Sequence, residues 1–190
     1  MRNDLGMKFC KIVQGAVHTN SERNLILRQQ CALVLIGMLH NKKILLNIDE
    51  TWLGMSDFRR RKWKAEGTTN SVSIMQIIPR ISMIVGLDTL GNVFCSLTQS
   101  NSNATVMRVF FVNLVRRLDR ERPTWRNDTV IVLDNAPYHV AQSTLKLFEQ
   151  LRVPVLFLGA HSYSAAPCEL FFAWFKDEDI NPRHLPVGKK

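Results

Sequence analysis

Apolar and polar positions fall into short blocks along this chain. The block TVIVLDNAPYH, Thr129 to His139, sets four aliphatic residues in a row before Asp134, Asn135 and Pro137. An apolar run of that length, bounded by turn residues, reads as a strand covered on both faces. The block KKILLNIDE repeats the pattern: a strand from Lys43 to Ile48 that ends on Asp49 and Glu50. A third, VPVLFLG, is shorter and closes on Gly159, while ISMIVGLDTLGNVFCSLTQ reads as two strands around the turn residues Asp88 to Asn92, an antiparallel hairpin.

Helical spacing appears between these blocks. Residues 1–40 read as helical; Asn20 or Ser21 caps a segment whose Leu25, Leu27, Cys31, Leu33, Leu35 and Leu39 supply a broad apolar face. Asn101 to Asn103 cap a second helix, with Val106, Phe110, Leu114 and Leu118 on one side and Arg108, Arg116, Arg117 and Arg120 elsewhere. Pro123 ends it. STLKLFEQL carries Leu145, Phe148 and Leu151 at helical spacing, and PCELFFAWFK opens with Pro167 in its first turn, where proline is tolerated. In that last helix Leu170, Phe171, Trp174 and Phe175 are expected to anchor, with Ala173 leaving room for the sheet.

The order is three strands, helix, strand, helix, strand, helix. It predicts an α/β domain: a five-stranded mixed sheet flanked by helices. If the first and fourth strands lie side by side and parallel, Asp49 and Asp134 emerge together, with strands about 4.8 Å apart. Carboxylates so placed can share divalent cations about 3.5–4 Å from one another. The plainer reading of Asp134 is a cap for the following helix.

Composition narrows the field. A chain of 190 residues with 46% apolar residues suits one globular domain with a full core. It has no apolar run near the length of a membrane span and no signal-peptide core, which predicts an intracellular protein without a membrane partner. Cys10, Cys31, Cys95 and Cys168 lack a CxxC pair, so reduced, mostly buried thiols are expected rather than a zinc site or a disulfide framework. Lys plus Arg exceed Asp plus Glu by 25 to 16, a net charge of +9 that favours a nucleic-acid partner. The densest basic run, Arg59, Arg60, Arg61, Lys62, Trp63 and Lys64, lies in a stretch without period. It reads as phosphate contact with Trp63 stacking, as a solvated hairpin, or as a nuclear-localisation run.

A third carboxylate, Glu169, falls in the first turn of the last helix, 34 residues after Asp134, which itself follows Asp49 by 84 intervening residues. IDET, LDNAPYH and YSAAPCELFFAWFK, in this order and spacing, resemble the catalytic core of Tc1/mariner and IS630-type transposases, DDE enzymes of the RNase H-like superfamily. The resemblance runs from about Lys43 to Lys176. It implies an RNase H-like fold with Asp49, Asp134 and Glu169 as the catalytic, metal-binding triad for two Mg²⁺ or Mn²⁺ ions. Asn135 and His139 match a DN…H pattern and would support the ligands or position substrate. Glu50 is expected to be solvated or to support a ligand rather than be one.

The implied activity is cleavage of DNA and strand transfer, with transposon ends and target DNA as partners, a homodimer, no small-molecule cofactor, and a nuclear location in a eukaryote. Residues 1–40 would be the tail of a DNA-binding region, 41–180 the catalytic domain with an inserted basic loop at 51–80 that clamps a partner subunit, and 181–190 a tail. The segment Tyr163 to Glu169 is two residues shorter than the family pattern, with Ala166 where asparagine is usual. Two rivals follow: a catalytically silent, transposase-derived DNA-binding or dimerisation module, and a metal-free hydrolase using the carboxylates as general acid and base.

Overall fold

The structure is a computed structural model that describes residues 20–53, 81–159, 162 and 166–177. Its elements run α1 (Glu22–His40), β1 (Ile44–Leu53), β2 (Ile81–Asp88), β3 (Val93–Thr98), α2 (Ala104–Glu121), α3 (Trp125–Asp128), β4 (Thr129–Leu133), α4 (Gln142–Leu151), β5 (Val155–Phe157) and α5 (Pro167–Asp177). The strands form one sheet in the order β3-β2-β1-β4-β5. β1 pairs antiparallel with β2 and β2 with β3, whereas β1–β4 and β4–β5 are parallel. This is the expected five-stranded mixed sheet flanked by helices, in the RNase H-like arrangement.

The β2–β3 turn forms where the sequence placed it. Asp88 Oδ1 accepts the Leu90 and Asn92 amides at 2.9 and 2.8 Å, and Gly91 takes φ +86°, which its lack of a Cβ permits. β1 departs from expectation, because it does not end at Asp49 and Glu50. Antiparallel pairing with β2 continues to Leu53↔Ile81, so Thr51 to Leu53 belong to the strand and not to the basic excursion. On the other side of β1 the pairing with β4 stops at Asn47↔Val132. Beyond that point one edge of β1 is open, and Asp49 and Glu50 stand there.

Alternation across β1 sends successive side chains to opposite faces. Leu46 and Ile48 join Ile84, Phe94, Ile131 and Leu133 beneath α2 and α4, which contribute Met107, Phe110, Phe111, Leu114, Val115, Leu118, Leu147 and Phe148. Each of these buried side chains contributes on the order of 1.5–3 kcal/mol. The apolar face of α2 is thus wider than the four residues read from its spacing, while its four arginines are exposed as expected. The short α3, absent from the sequence reading, buries Trp125 in the same core, with Nε1 donating to Asp119 at 2.8 Å.

The opposite face is covered by α1 and α5. There Leu53, Met83 and Val85 meet Cys168 and Phe172, and Val132 and Leu158 meet Cys31 and Ala166. Two expectations need correction. In α1 only Cys31 is buried, with Leu35 packed beside it; Leu25, Leu33 and Leu39 are exposed, because the helix meets the sheet along a narrow line. In α5 the buried pair is Cys168 and Phe172, four residues apart, so Leu170, Ala173 and Trp174 face outward. Of the described cysteines, Cys31 and Cys168 are buried and Cys95 is exposed. Among the described residues no helix is long and apolar enough to cross a membrane.

Candidate metal centre

The parallel ladder from Ile44↔Thr129 to Asn47↔Val132 carries β1 and β4 in step. Continued by two residues, the same register sets Asp49 level with Asp134. By strand alternation Asp49 shares its side of β1 with Asn47, and Asp134, one residue past β4, follows the side of Val132, which α1 and α5 cover. β4 ends at Leu133, and Asp134 opens a turn in which its Oδ1 accepts the Ala136 amide at 3.0 Å. It is not a helix cap, since α4 begins at Gln142 with Ala141 in the capping position. Glu169 follows Cys168 in the first turn of α5 and is exposed.

Electrostatics show that these groups share one neighbourhood. Burial pushes the Asp49 carboxyl up to about 7; the Glu50 amide opposes this at 2.8 Å, while the charges of Glu50, Glu169 and Asp134 add to it. Asp134 moves the other way. Burial would raise it, but the hydrogen bond with His139, the Ala136 amide and the imidazolium charge hold it below the usual carboxylate range.

His139 lies beneath the carboxylates with no exposed side-chain surface. Its Nδ1 stands 2.7 Å from Asp134 Oδ1, and its Nε2 faces Glu50 Oε2 at 3.5 Å. The second contact is an ion pair rather than a hydrogen bond at that length. Burial alone would lower the imidazole pKa, but the two carboxylates more than offset it and leave it at about 9. His139 is therefore a buried cation between β1 and the β4 turn, packed edge-on against Phe111 and Tyr138. Glu50, with 7% of its side chain exposed, is the partner of His139 and not a solvated group. Asn135 donates from Nδ2 to the Leu158 carbonyl, which ties the same turn to the end of β5.

A family profile described as DDE superfamily endonuclease matches residues 44–187, a span that includes all three carboxylates. The chain belongs to that family. Among curated proteins, this DDE-family chain is 27% identical over 173 residues to the Mariner Mos1 transposase of Drosophila mauritiana, covering 85% of this chain and 50% of the relative. Among solved structures it is similar to a pre-cleavage Mos1 transpososome (TM-score 0.70, 22% identity, 98% of this chain and 58% of that one). It is also similar to the Mos1 paired end complex with Mn (TM-score 0.69, 22% identity, 95% of this chain and 56% of that one). The chain thus spans about half the length of the curated relative it matches. The structural likeness bears on the fold.

The three carboxylates of this DDE-family chain suit a divalent cation by their chemistry: they are hard oxygen donors, and their charges add to the burial that raises Asp49. The set is open rather than closed. Among the described residues, no three His, Cys, Asp or Glu side chains are grouped tightly enough to hold an ion as they stand. Glu169 is exposed, whereas Asp134, also exposed, is held through Oδ1 by His139 and the Ala136 amide. Arg59, Arg60, Arg61, Lys62, Trp63 and Lys64 lie outside the described residues, as do residues 1–19 and the tail after Asp177.

Sequence reading missed one further residue. Asn47, 4% exposed, donates from Nδ2 to the Val132 carbonyl at 3.3 Å and accepts the Cys168 amide on Oδ1 at 3.0 Å. A polar residue inside the apolar run KILLNI is the signal that could have found it, because a buried amide must have partners.

Proposed function

We propose that this chain is the catalytic core of a mariner-type DNA transposase, which cuts DNA phosphodiesters and transfers the freed strand with Mg²⁺ or Mn²⁺. The observation that carries the reading is the parallel β1–β4 register, which runs on to Asp49 and Asp134, together with the Cys168–Asn47 hydrogen bond, which supports Glu169 beside them. Two ions held by these carboxylates would activate the attacking oxygen and stabilise the departing one. The protein's own groups do the rest. Asp49 would bind a cation as the carboxylate, and His139 with the Ala136 amide fixes Oδ1 of Asp134. Oδ2 of Asp134 makes no hydrogen bond among the described residues and is the oxygen left for a ligand.

In this reading Arg59 to Lys64 contact DNA phosphates with Trp63 stacking, residues 1–40 continue a DNA-binding region, and the loop after β1, residues 54–80, clamps the partner subunit of a homodimer. Transposon ends and target DNA are its substrates, and a eukaryotic host places it in the nucleus. The net charge of +9 supports the polyanionic partner.

The test is Mn²⁺-dependent nicking of supercoiled DNA by the wild-type chain and by Glu169→Gln. The proposal expects nicking that EDTA abolishes and the substitution removes. Nicking that persists in EDTA would favour a metal-free acid–base pair, for which a carboxyl near pH 7 is also suited. No nicking by wild type, or nicking by the variant equal to wild type and therefore owed to a contaminant, would leave the silent module as the better account. That module is favoured by the shortened segment before Glu169.

A further inference from the structure

The side chain of Asn47 touches the backbone beside two of the three carboxylates and sits two residues from the third. It occupies β1 two positions before Asp49. Its Nδ2 donates to the carbonyl of Val132, two positions before Asp134. Its Oδ1 accepts the amide of Cys168, the residue before Glu169. The return contact runs through sulfur: Cys168 Sγ lies 3.3 Å from the Asn47 carbonyl and 3.5 Å from that of Val85.

This arrangement is costly unless it serves a purpose. A carboxamide buried between a parallel strand pair and a helix gives up its hydration and recovers it only through the Val132 carbonyl and the Cys168 amide, a buried N–H that an aliphatic side chain would leave unpaired. The bonds to the strand ladder hold β1 and β4 with or without it. What the amide adds is a directional attachment of the α5 N-terminus, which otherwise rests on the weak Cys168 Sγ contacts and on the apolar packing of Cys168, Phe172, Phe171 and Phe175. Apolar packing is non-directional and tolerates small slides of a helix. A pair of hydrogen bonds from one rigid amide does not.

We infer that Asn47 is a positioning residue that sets the distance and phase of Glu169 relative to Asp49 and Asp134, and so the spacing of the metal donors. The inference rests on the proposed metal-dependent function. Groups that orient ligands from behind alter metal affinity by about 10–100-fold when removed.

The experiment uses the full 190-residue chain as wild type, Asn47→Leu, Asn47→Ala and Leu118→Ala. Leu118 is a core residue of α2, on the sheet face opposite α5, and serves as a control for lost stability alone. Two readouts are taken well below each variant's melting temperature. Amide hydrogen exchange in metal-free protein is expected to rise at Cys168 and the first turn of α5 in both Asn47 variants, and not in Leu118→Ala. Calorimetric Mn²⁺ affinity is expected to fall about 10-fold or more in the Asn47 variants, with Leu118→Ala binding as wild type. If Asn47→Leu fails to fold, Asn47→Ala carries the comparison. Asn47 variants that bind Mn²⁺ like wild type, or lose affinity only as far as the control does, overturn the inference while leaving the metal centre intact. No Mn²⁺ binding by wild type overturns the metal-centre reading and this inference with it.

Discussion

Replacing His139 by Gln removes a buried cation and should flatten part of the pH dependence of stability. The folded protein holds this imidazole's proton with a pKa of about 9, against 6.5 for a free side chain. At 1.36 kcal/mol per tenfold change in proton affinity, that rise is worth about 3 kcal/mol. Because the folded pKa is the higher one, the contribution is fully present below 6.5 and is lost as pH climbs through about 9. Asp49, raised from 3.8 to about 7, adds a loss of the same sign centred lower, and it is common to wild type and variant.

The assay is urea unfolding in EDTA from pH 6 to 10 for wild type and His139→Gln. Wild type should exceed the variant by about 3 kcal/mol near pH 6, a melting difference of about 6–12 °C for a chain of this size, and the two should converge near pH 10. Parallel curves across the range would refute the reasoning, for they would mean that His139 carries no charge in the fold. The partner tests the same idea from the other side. Glu50→Leu should lower the His139 pKa, measurable by NMR titration of the ring, because one of its two carboxylates is gone.

Mn²⁺ binding should tighten as pH rises through about 7 and release close to one proton from Asp49, read as a dependence of the calorimetric enthalpy on buffer ionisation. Asn103→Ala should cost about 1 kcal/mol by removing the cap that accepts the Val106 amide at 3.0 Å, seen as a lower urea midpoint with unchanged slope. Phe111→Ala, at a fully buried position between Phe110 and Phe148, should cost about 3–5 kcal/mol in the same assay.

What could be read in the sequence was local. β4 announced itself because both its faces are covered, leaving an unbroken aliphatic run up to Asp134. The hairpin turn at Asp88 to Asn92 was readable for the same reason: its bonds are made within five residues. The continuation of β1 to Leu53 was not, since it depends on Ile81 in a strand far along the chain. Whether Glu50 was solvated or supported a ligand could not be read, because its partner, His139, is brought to it only by the parallel pairing of β1 with β4. Periodicity in α1 and α5 told which residues are apolar but not how much of each helix meets the sheet. Hence Leu33, read as part of the apolar face of α1, and Trp174, read as an anchor of α5, are 62% and 53% exposed. The three candidate carboxylates were found through spacing and flanking residues, whereas Asn47, which holds their supports together, lay unremarked inside an apolar run.

The central claim is that the carboxylates of β1, the β4 turn and α5 form a cation site. Calorimetric titration of Mn²⁺ into the metal-free chain, with and without a short DNA duplex, compared with Asp134→Asn, tests it most directly. The account predicts wild-type binding that DNA strengthens and that the substitution abolishes. Indistinguishable isotherms for the two proteins would contradict it and leave Asp134 as no more than the residue that closes a turn.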